Sequence, residues 1–367
     1  MIAIHAPDFD LAMTLGSGQV FHWEKIGNGF AGTIGDRAVY IEQHGVTLRA
    51  FVEGEASFDR LRTGSATSGA RRVTGAGSQE LAPPIVQLVA HYFGLDHPLA
   101  EICESFPNDP VMNAARDFCR GLRIIRQPKW ECLATFVCSS MKQVAHIRQI
   151  SLALRKRFGE RRKIGSRVMY TFPSPQRIAR ASENQLRECK LGYRAKNLRA
   201  TAQLVSSGEC DLELWSALPD SDLRKNLCEL PGVGVKIANC VMLFAYERLC
   251  AFPIDVWIER VLRRHHFPRR KKVTAQQLRE FSETYFGEHG GYAQQYLFHH
   301  ARTALRKSGV AIPQQRDTAL RSGRNDKRKN ARITSRKTEV SRDSSTPKAF
   351  GARNDRLAQV VSPAGLR

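Results

Sequence analysis

Leu230-Pro231-Gly232-Val233-Gly234-Val235-Lys236-Ile237-Ala238-Asn239-Cys240, continued by Val241-Met242-Leu243-Phe244-Ala245, is the stretch that decides the fold of this chain. Ala238, Val241, Met242 and Ala245 recur at i, i+3, i+4 and i+7, so a buried helix begins just after the glycines. The run from Asp222 to Leu230 is also compatible with a helix, and Pro231 with Gly232 and Gly234 makes a tight hairpin between the two. A hairpin of this kind bares backbone N–H groups at a helix start, where the positive end of the helix dipole adds to them. A nucleic-acid phosphate is held there without any side chain. The same Pro-Gly-x-Gly pattern serves as an ordinary turn, and the stretch alone leaves both readings open.

Lys236 adds chemistry to the hairpin. A lysine in the first turn of a helix opposes the dipole, which favours its neutral form, and a nucleophilic lysine needs that form. The alternative is a surface lysine that reaches solvent or a phosphate. Nineteen residues on lies Asp255, within Phe252-Pro253-Ile254-Asp255-Val256-Trp257-Ile258-Glu259-Arg260-Val261-Leu262. Asp255 precedes a helical pattern of Ile258, Val261 and Leu262, so its plain role is an N-cap. The short connection also returns Asp255 toward Lys236, where a carboxylate stabilises positive charge developing on a sugar. The two roles are compatible.

Composition limits the partner. The 367 residues hold 57 Lys plus Arg against 35 Asp plus Glu, a formal net charge of +22. The excess persists when residues 311–367 are set aside, so a polyanion, nucleic acid first, is the expected partner. Nine cysteines, odd in number and without close paired spacing, point to a reduced intracellular protein. No signal peptide and no apolar stretch of membrane-spanning length is visible, so no membrane partner is expected.

Along the chain, β-rich runs at Phe30 to Ile34, Ala38 to Gln43 and Val46 to Val52 are separated by Gly35-Asp36 and His44-Gly45, which reads as an antiparallel meander. Residues 54–80 are dominated by Gly, Ser, Ala, Thr and Arg and read as a disordered insertion. From Ile85 to about Lys307 the pattern is helical, as in Cys132, Phe136, Val137, Val144, Ile147 and Ile150. The expected class is α+β. An antiparallel β-rich domain over residues 1–100 abuts an all-α helix-hairpin-helix domain over 101–310, and a basic disordered tail spans 311–367. The tail's expected effect is weak, salt-sensitive attraction to phosphates.

With hairpin, Lys236 and Asp255 in place, the chain resembles the helix-hairpin-helix DNA glycosylase superfamily. Further stretches narrow the resemblance to the 8-oxoguanine DNA glycosylases. They are Ser17-Gly18-Gln19-Val20-Phe21-His22-Trp23, Glu131-Cys132-Leu133, Phe136-Val137-Cys138-Ser139-Ser140, Leu191-Gly192-Tyr193-Arg194-Ala195 and Tyr292-Ala293-Gln294-Gln295-Tyr296-Leu297-Phe298, in the family's order. The match covers about residues 5 to 52 and 85 to 307. The resemblance implies a bifunctional glycosylase/AP lyase of base excision repair that flips 8-oxoguanine out of double-stranded DNA into a cleft between the two domains. Lys236 would attack the anomeric carbon, and Asp255 would support the oxocarbenium-like transition state. The Gly18 carbonyl would accept the N7 hydrogen that guanine lacks. Cys240 and Phe298 would sandwich the base, and Gln294 would bond its Watson–Crick edge. Tyr193 and Arg194 would wedge into the stack and contact the orphaned base, and Gly232 and Gly234 would hold a phosphate. The carbonyls of Cys228, Leu230 and Val233 match positions that hold a structural monovalent cation. No catalytic cofactor is implied, and a monomer is expected.

Taken singly, Phe298 reads as core, Cys240 as a small buried residue, Gln294 as a surface amide, Gly18 as a turn former and Arg194 as a solvated charge. Three positions depart from the family pattern. Met141 replaces an asparagine and His146 an arginine, which implies weaker reading of the opposite cytosine. Trp257 replaces a histidine, and an indole donates only one hydrogen bond. Other readings remain. The endonuclease III branch carries a four-cysteine iron–sulfur cluster after the aspartate, whereas no cysteine follows Cys250 here, so no such cluster is expected. The alkyladenine branch does not need Lys236, and a non-catalytic DNA-binding module needs only the hairpin and the basic charge.

Overall fold

Hairpins at Gly35-Asp36 and Gly45-Val46 turn the predicted meander, and two strands not foreseen complete it. The computed structural model describes residues 2–53, 84–139, 143–270 and 272–307. The expected insertion at 54–80, the tail from 311 and Met141 therefore lie outside the described residues. The amino-terminal elements are β1 (Ile2–His5), α1 (Leu11–Gly16), β2 (Glu24–Ile26), β3 (Gly29–Ile34), β4 (Arg37–His44) and β5 (Thr47–Val52). All strands pair antiparallel in the order β1-β5-β4-β3-β2, with Val39 opposite Val52 and Ile41 opposite Ala50.

The sheet is covered on both faces, which explains why Ala38-Val39-Tyr40-Ile41 reads as an unbroken apolar run instead of alternating. Val39, Ile41 and Leu48 pack with Trp23 and with Val89 and Tyr92 of α2 (Pro84–Tyr92), and the Trp23 indole donates to Tyr92 Oη at 3.0 Å. Ala38, Tyr40 and Phe51 face the other way, against Ile164 and Met169.

The helical half continues through α3 (Leu99–Glu104), α4 (Pro110–Phe118), α5 (Lys129–Ser139) and α6 (Val144–Phe158). Here the expectation of helix throughout is corrected by an antiparallel hairpin, β6 (Arg161–Ile164) and β7 (Arg167–Tyr170). Each of its strands sends only one buried apolar residue inward, Ile164 and Met169, too few to leave a period in the sequence. Then follow α7 (Pro175–Arg180), α8 (Glu183–Glu188), α9 (Arg194–Ser207), α10 (Asp220–Glu229), α11 (Val235–Ala245), α12 (Val256–His266), α13 (Ala275–Phe286) and α14 (Gly290–Lys307). Every residue of α5 from Glu131 to Ser139 is buried, so α5 is the central helix of the main core.

One buried polar joint ties sheet to helices. Arg155 on α6 pairs with Glu131 on α5 and donates to Thr33 Oγ1 on β3 at 2.8 Å and to the Tyr170 carbonyl on β7 at 3.1 Å. His22 Nε2 lies 2.9 Å from the Thr33 carbonyl. Burial, then the charge of Arg155, hold His22 well below its ordinary range, so it sits there neutral. Among the described residues no helix is long and apolar enough to cross a membrane.

Candidate active site

The helix-hairpin-helix is α10, the turn 230–234 and α11. The Val233 N–H donates to the Leu230 carbonyl at 3.0 Å, closing the turn. Gly232 has φ +82°, and a Cβ on it would meet Asn197 Nδ2 of α9 at 2.6 Å. Thr201 of α9 donates to the Pro231 carbonyl at 3.1 Å, so the hairpin is seated on α9 and only glycine fits at 232. Gly234 is the N-cap of α11 and brings no side-chain cap, so the helix start keeps N–H groups for a ligand.

Lys236 is the second residue of α11 and is half-buried, with its Nζ 5.4 Å from the centroid of the Phe136 ring on α5. One helical turn on, Cys240 is buried, with the charge of Lys236 acting on its thiol. Burial pushes the Cys240 thiol up; the charge of Lys236 pulls back, and that of Asp255 adds to the rise. The sequence places Cys240 on the face of Lys236, and the structure bears this out.

Asp255 arrives from the connection after α11. Arg224 of α10 donates to Asn239 Oδ1 at 3.1 Å, and Asn239 Nδ2 donates to the Phe252 carbonyl at 3.1 Å, which draws the connection back across α11. Asp255 caps α12 as the sequence predicts: its Oδ1 accepts the N–H of Trp257 at 3.0 Å and of Ile258 at 2.9 Å. Burial pushes its carboxyl above the usual range, against the Ile258 N–H, the charge of Lys236, the Trp257 N–H and the charge of Arg302, which favour the ionised form. The carboxylate thus shares its surroundings with the lysine.

The third part is the loop after α1. A Cβ on Gly18, at φ +93°, would meet Arg302 Nη1 at 3.1 Å and Phe298 Cε1 at 3.2 Å, so this backbone lies directly against α14. Gln295 Nε2 donates to the Ser17 carbonyl at 3.1 Å, and Arg302 Nη2 donates to the Gly16 carbonyl at 2.7 Å. Gln19 fixes the other side: it donates to the Arg123 carbonyl at 2.8 Å, accepts the Ile125 N–H at 2.9 Å, and its own carbonyl accepts from Gln127 Nε2 at 2.9 Å. Gln294 on α14 is buried, against the surface-amide reading, and its Oε1 has no hydrogen-bond partner among the described residues. A buried amide oxygen left unpaired costs stability, a cost that a ligand's hydrogen-bond donor would offset.

Lys236, Cys240, Asp255, Gly18, Gln294 and Phe298 thus stand on α11, on α14, at the cap of α12 and in the loop that α14 grips. Trp257 follows in the first turn of α12, half-buried, with the Arg260 guanidinium 5.8 Å from its ring. Tyr193 and Arg194 open α9 instead. Tyr193 is 61% exposed, while Arg194 is 4% exposed, donates to the Tyr193 hydroxyl at 3.0 Å and lies 4.3 Å from the centre of its ring. Arg194 as a solvated charge is therefore corrected: its guanidinium stacks on the aromatic neighbour and supports it. His146 is exposed in the first turn of α6. Sequence reasoning missed Arg302, Gln295 and Asn239. Arg302 follows Phe298 by one helical turn, and that spacing was the available signal.

Residues 1–133 match the family model of the 8-oxoguanine DNA glycosylase N-terminal domain, and residues 134–285 that of the HhH-GPD superfamily base excision DNA repair proteins. The chain is 27% identical over 317 residues to a probable N-glycosylase/DNA lyase of Methanothermobacter thermautotrophicus, covering 80% of this chain and 94% of that protein. It is 29% identical over 307 residues to the N-glycosylase/DNA lyase OGG1 of Arabidopsis thaliana, covering 79% and 77%. Among solved structures, MBOgg1 in complex with a low affinity DNA ligand superposes with a TM-score of 0.70 at 29% identity, covering 82% of this chain and 95% of that one.

Proposed function

We infer the activity from the premise that this chain belongs to the 8-oxoguanine DNA glycosylase family of the helix-hairpin-helix base excision repair superfamily: it is a DNA N-glycosylase with AP lyase activity, acting on 8-oxoguanine in duplex DNA. The observation that carries this reading is the half-buried Lys236 at the start of α11, one helical turn from the buried Cys240 and near enough to the Asp255 carboxylate for its charge to act on it.

The hairpin and the start of α11 hold a phosphate through backbone N–H groups, and the basic surface supplies salt-sensitive attraction. The flipped base enters between Cys240 and Phe298. The Gly18 carbonyl accepts the N7 hydrogen, and Gln294 Oε1 accepts from the Watson–Crick edge. Guanine has no hydrogen at N7, so its entry leaves a buried carbonyl facing a lone pair, which costs about 1–3 kcal/mol. The glycosidic bond breaks with its electron pair leaving on the base, and the Asp255 carboxylate faces the positive sugar. The Lys236 amine bonds to C1′ through its lone pair, one of its protons passes to O4′ as the ring opens and the other stays on the resulting protonated Schiff base; removal of a C2′ proton then expels the 3′ phosphate. No metal is needed for any of these steps. The hairpin carbonyls of Cys228, Leu230 and Val233 are hard oxygen donors suited to a monovalent cation that would steady the loop.

Tyr193, stacked on Arg194, fills the gap left by the flipped base, with His146 on the side of the opposite base. Trp257 borders the damaged nucleotide's phosphate. Division near residue 100, a monomer, and an intracellular, DNA-associated location complete the reading. Borohydride trapping on 8-oxoguanine duplex tests it. The chain should form a covalent adduct that Lys236→Gln abolishes; binding without an adduct makes the chain a non-catalytic DNA-binding module instead.

A further inference from the structure

Arg302 belongs to none of the motifs above, yet it touches more of the site than most of them. It is 8% exposed, and a guanidinium that deep is retained only where hydrogen bonds and partners offset its desolvation. On α14 it follows Phe298 by four residues and Gln294 by eight, so the three share one helix face. Its Nη2 donates to the Gly16 carbonyl at 2.7 Å, its central carbon lies 5.3 Å from the centroid of the Phe298 ring, and its Nη1 closes on the missing Cβ of Gly18 at 3.1 Å. His299 Nδ1 is 3.4 Å from Nη2. Burial and the charge of Arg302 hold His299 down to about 4, so the histidine is neutral at physiological pH and the positive charge belongs to Arg302.

These contacts have one effect in common. The segment Gly16–Gly18, the last residue of α1 and the bend after it, comes from the sheet side of the molecule, while Phe298 and Gln294 sit on the long helix α14. Arg302 fastens one to the other, with Gln295 holding the next carbonyl. We propose that Arg302 is a positioning residue of base recognition: it clamps the Gly16–Gly18 backbone against Phe298, so that the slot between Gly18 and α14 keeps the width and the carbonyl direction an oxidised purine requires. This rests on the 8-oxoguanine reading of the site, and it assigns Arg302 no part in the attack by Lys236.

The test compares two substrates of the full chain, since a preformed abasic site presents no base to recognise. In Arg302→Met, single-turnover release of 8-oxoguanine should fall about tenfold or more, as expected for losing a charged hydrogen bond. Borohydride trapping on abasic duplex should stay within about threefold of the parent. Arg302→Lys, which keeps a charged donor for the Gly16 carbonyl, should recover part of the loss on 8-oxoguanine. Parallel loss on both substrates in both variants, or no loss on either, overturns the clamp. A parent chain that neither releases 8-oxoguanine nor forms an adduct instead overturns the functional reading beneath it.

Discussion

Replacing Gly18 by alanine probes the recognition loop without touching any catalytic group, and the structure sets the size of the effect. At φ +93° a Cβ is strained whatever the space around it, at a cost of about 1–3 kcal/mol. The added methyl would also stand 3.1 Å from Arg302 Nη1 and 3.2 Å from Phe298 Cε1, so both side-chain tips must retreat by a few tenths of an ångström. If the loop keeps its conformation, the whole strain appears as lost stability. The melting midpoint then drops by about 2–12 °C, from the 2–4 °C per kcal/mol typical of domains of this size. If the loop relaxes to negative φ, the strain disappears but the carbonyl turns, and its bond to the N7 hydrogen is lost. That loss is worth about 1–3 kcal/mol, or roughly 5- to 150-fold in release of 8-oxoguanine. The assays are a thermal melt beside single-turnover kinetics on 8-oxoguanine and on abasic duplex. One of the first two must fall while abasic trapping holds. An alanine variant with parental melting and parental release of 8-oxoguanine would refute the role given to this carbonyl.

Gln294→Leu removes a buried oxygen that has no partner among the described residues, so the melting midpoint should hold or rise while release of 8-oxoguanine slows about tenfold; a fall in melting with unchanged release contradicts the assignment. Gly232→Ala drives a methyl into Asn197, 2.6 Å from its Nδ2, and should lower affinity for undamaged duplex about tenfold by tilting the N–H groups of the hairpin, measured as a binding isotherm at fixed salt. Asp255→Asn keeps the cap but removes the charge, and release should fall about a hundredfold or more. Because burial raises the Asp255 carboxyl, its ionised form opposes folding above that raised value and costs nothing below the ordinary aspartate range. The asparagine variant should therefore melt higher than the parent at neutral pH, with the gap closing as pH falls. By the same sign, the acid limb of the parent's release rate should lie above the ordinary aspartate range.

The parts legible in the sequence were those where one physical demand acts on a run of neighbours. Ala238, Val241, Met242 and Ala245 announce α11 because one face meets the core, and Asp255 announces α12 because a helix start needs a cap. What stayed hidden depends on contacts between distant residues. The β6–β7 hairpin has its reason in the outer face of the sheet, where Ile164 and Met169 meet Tyr40 and Phe51. Asn239 reads as a polar interruption in an apolar helix until the Phe252 carbonyl and Arg224 are seen on either side of it. Arg194 looked solvated because nothing local says that Tyr193 will lie under its guanidinium. Gln294 reads as a surface amide beside Gln295, and only the fold shows that Gln295 spends its amide on the Ser17 carbonyl while Gln294 keeps an oxygen unspent.

The placement of Lys236 and Asp255 on two successive helix starts follows from opposing electrostatic demands. A helix start attracts negative charge and repels positive charge. Asp255 therefore sits where the dipole and two N–H groups favour its ionised form, which offsets the burial that would otherwise keep it protonated. Lys236 sits at a start uncapped by any side chain and one turn from a buried thiol. Exchange the two side chains and the acid would lose the two N–H groups that cap α12 through it, while the amine would lose its place one turn from Cys240. Raising the salt should weaken binding through the loss of phosphate attraction, while the rate of the bound complex, read at saturating protein, should change far less. A single-turnover rate that fell with salt as steeply as the affinity would mean that phosphate contacts, and not the local setting of Lys236, govern the chemical step.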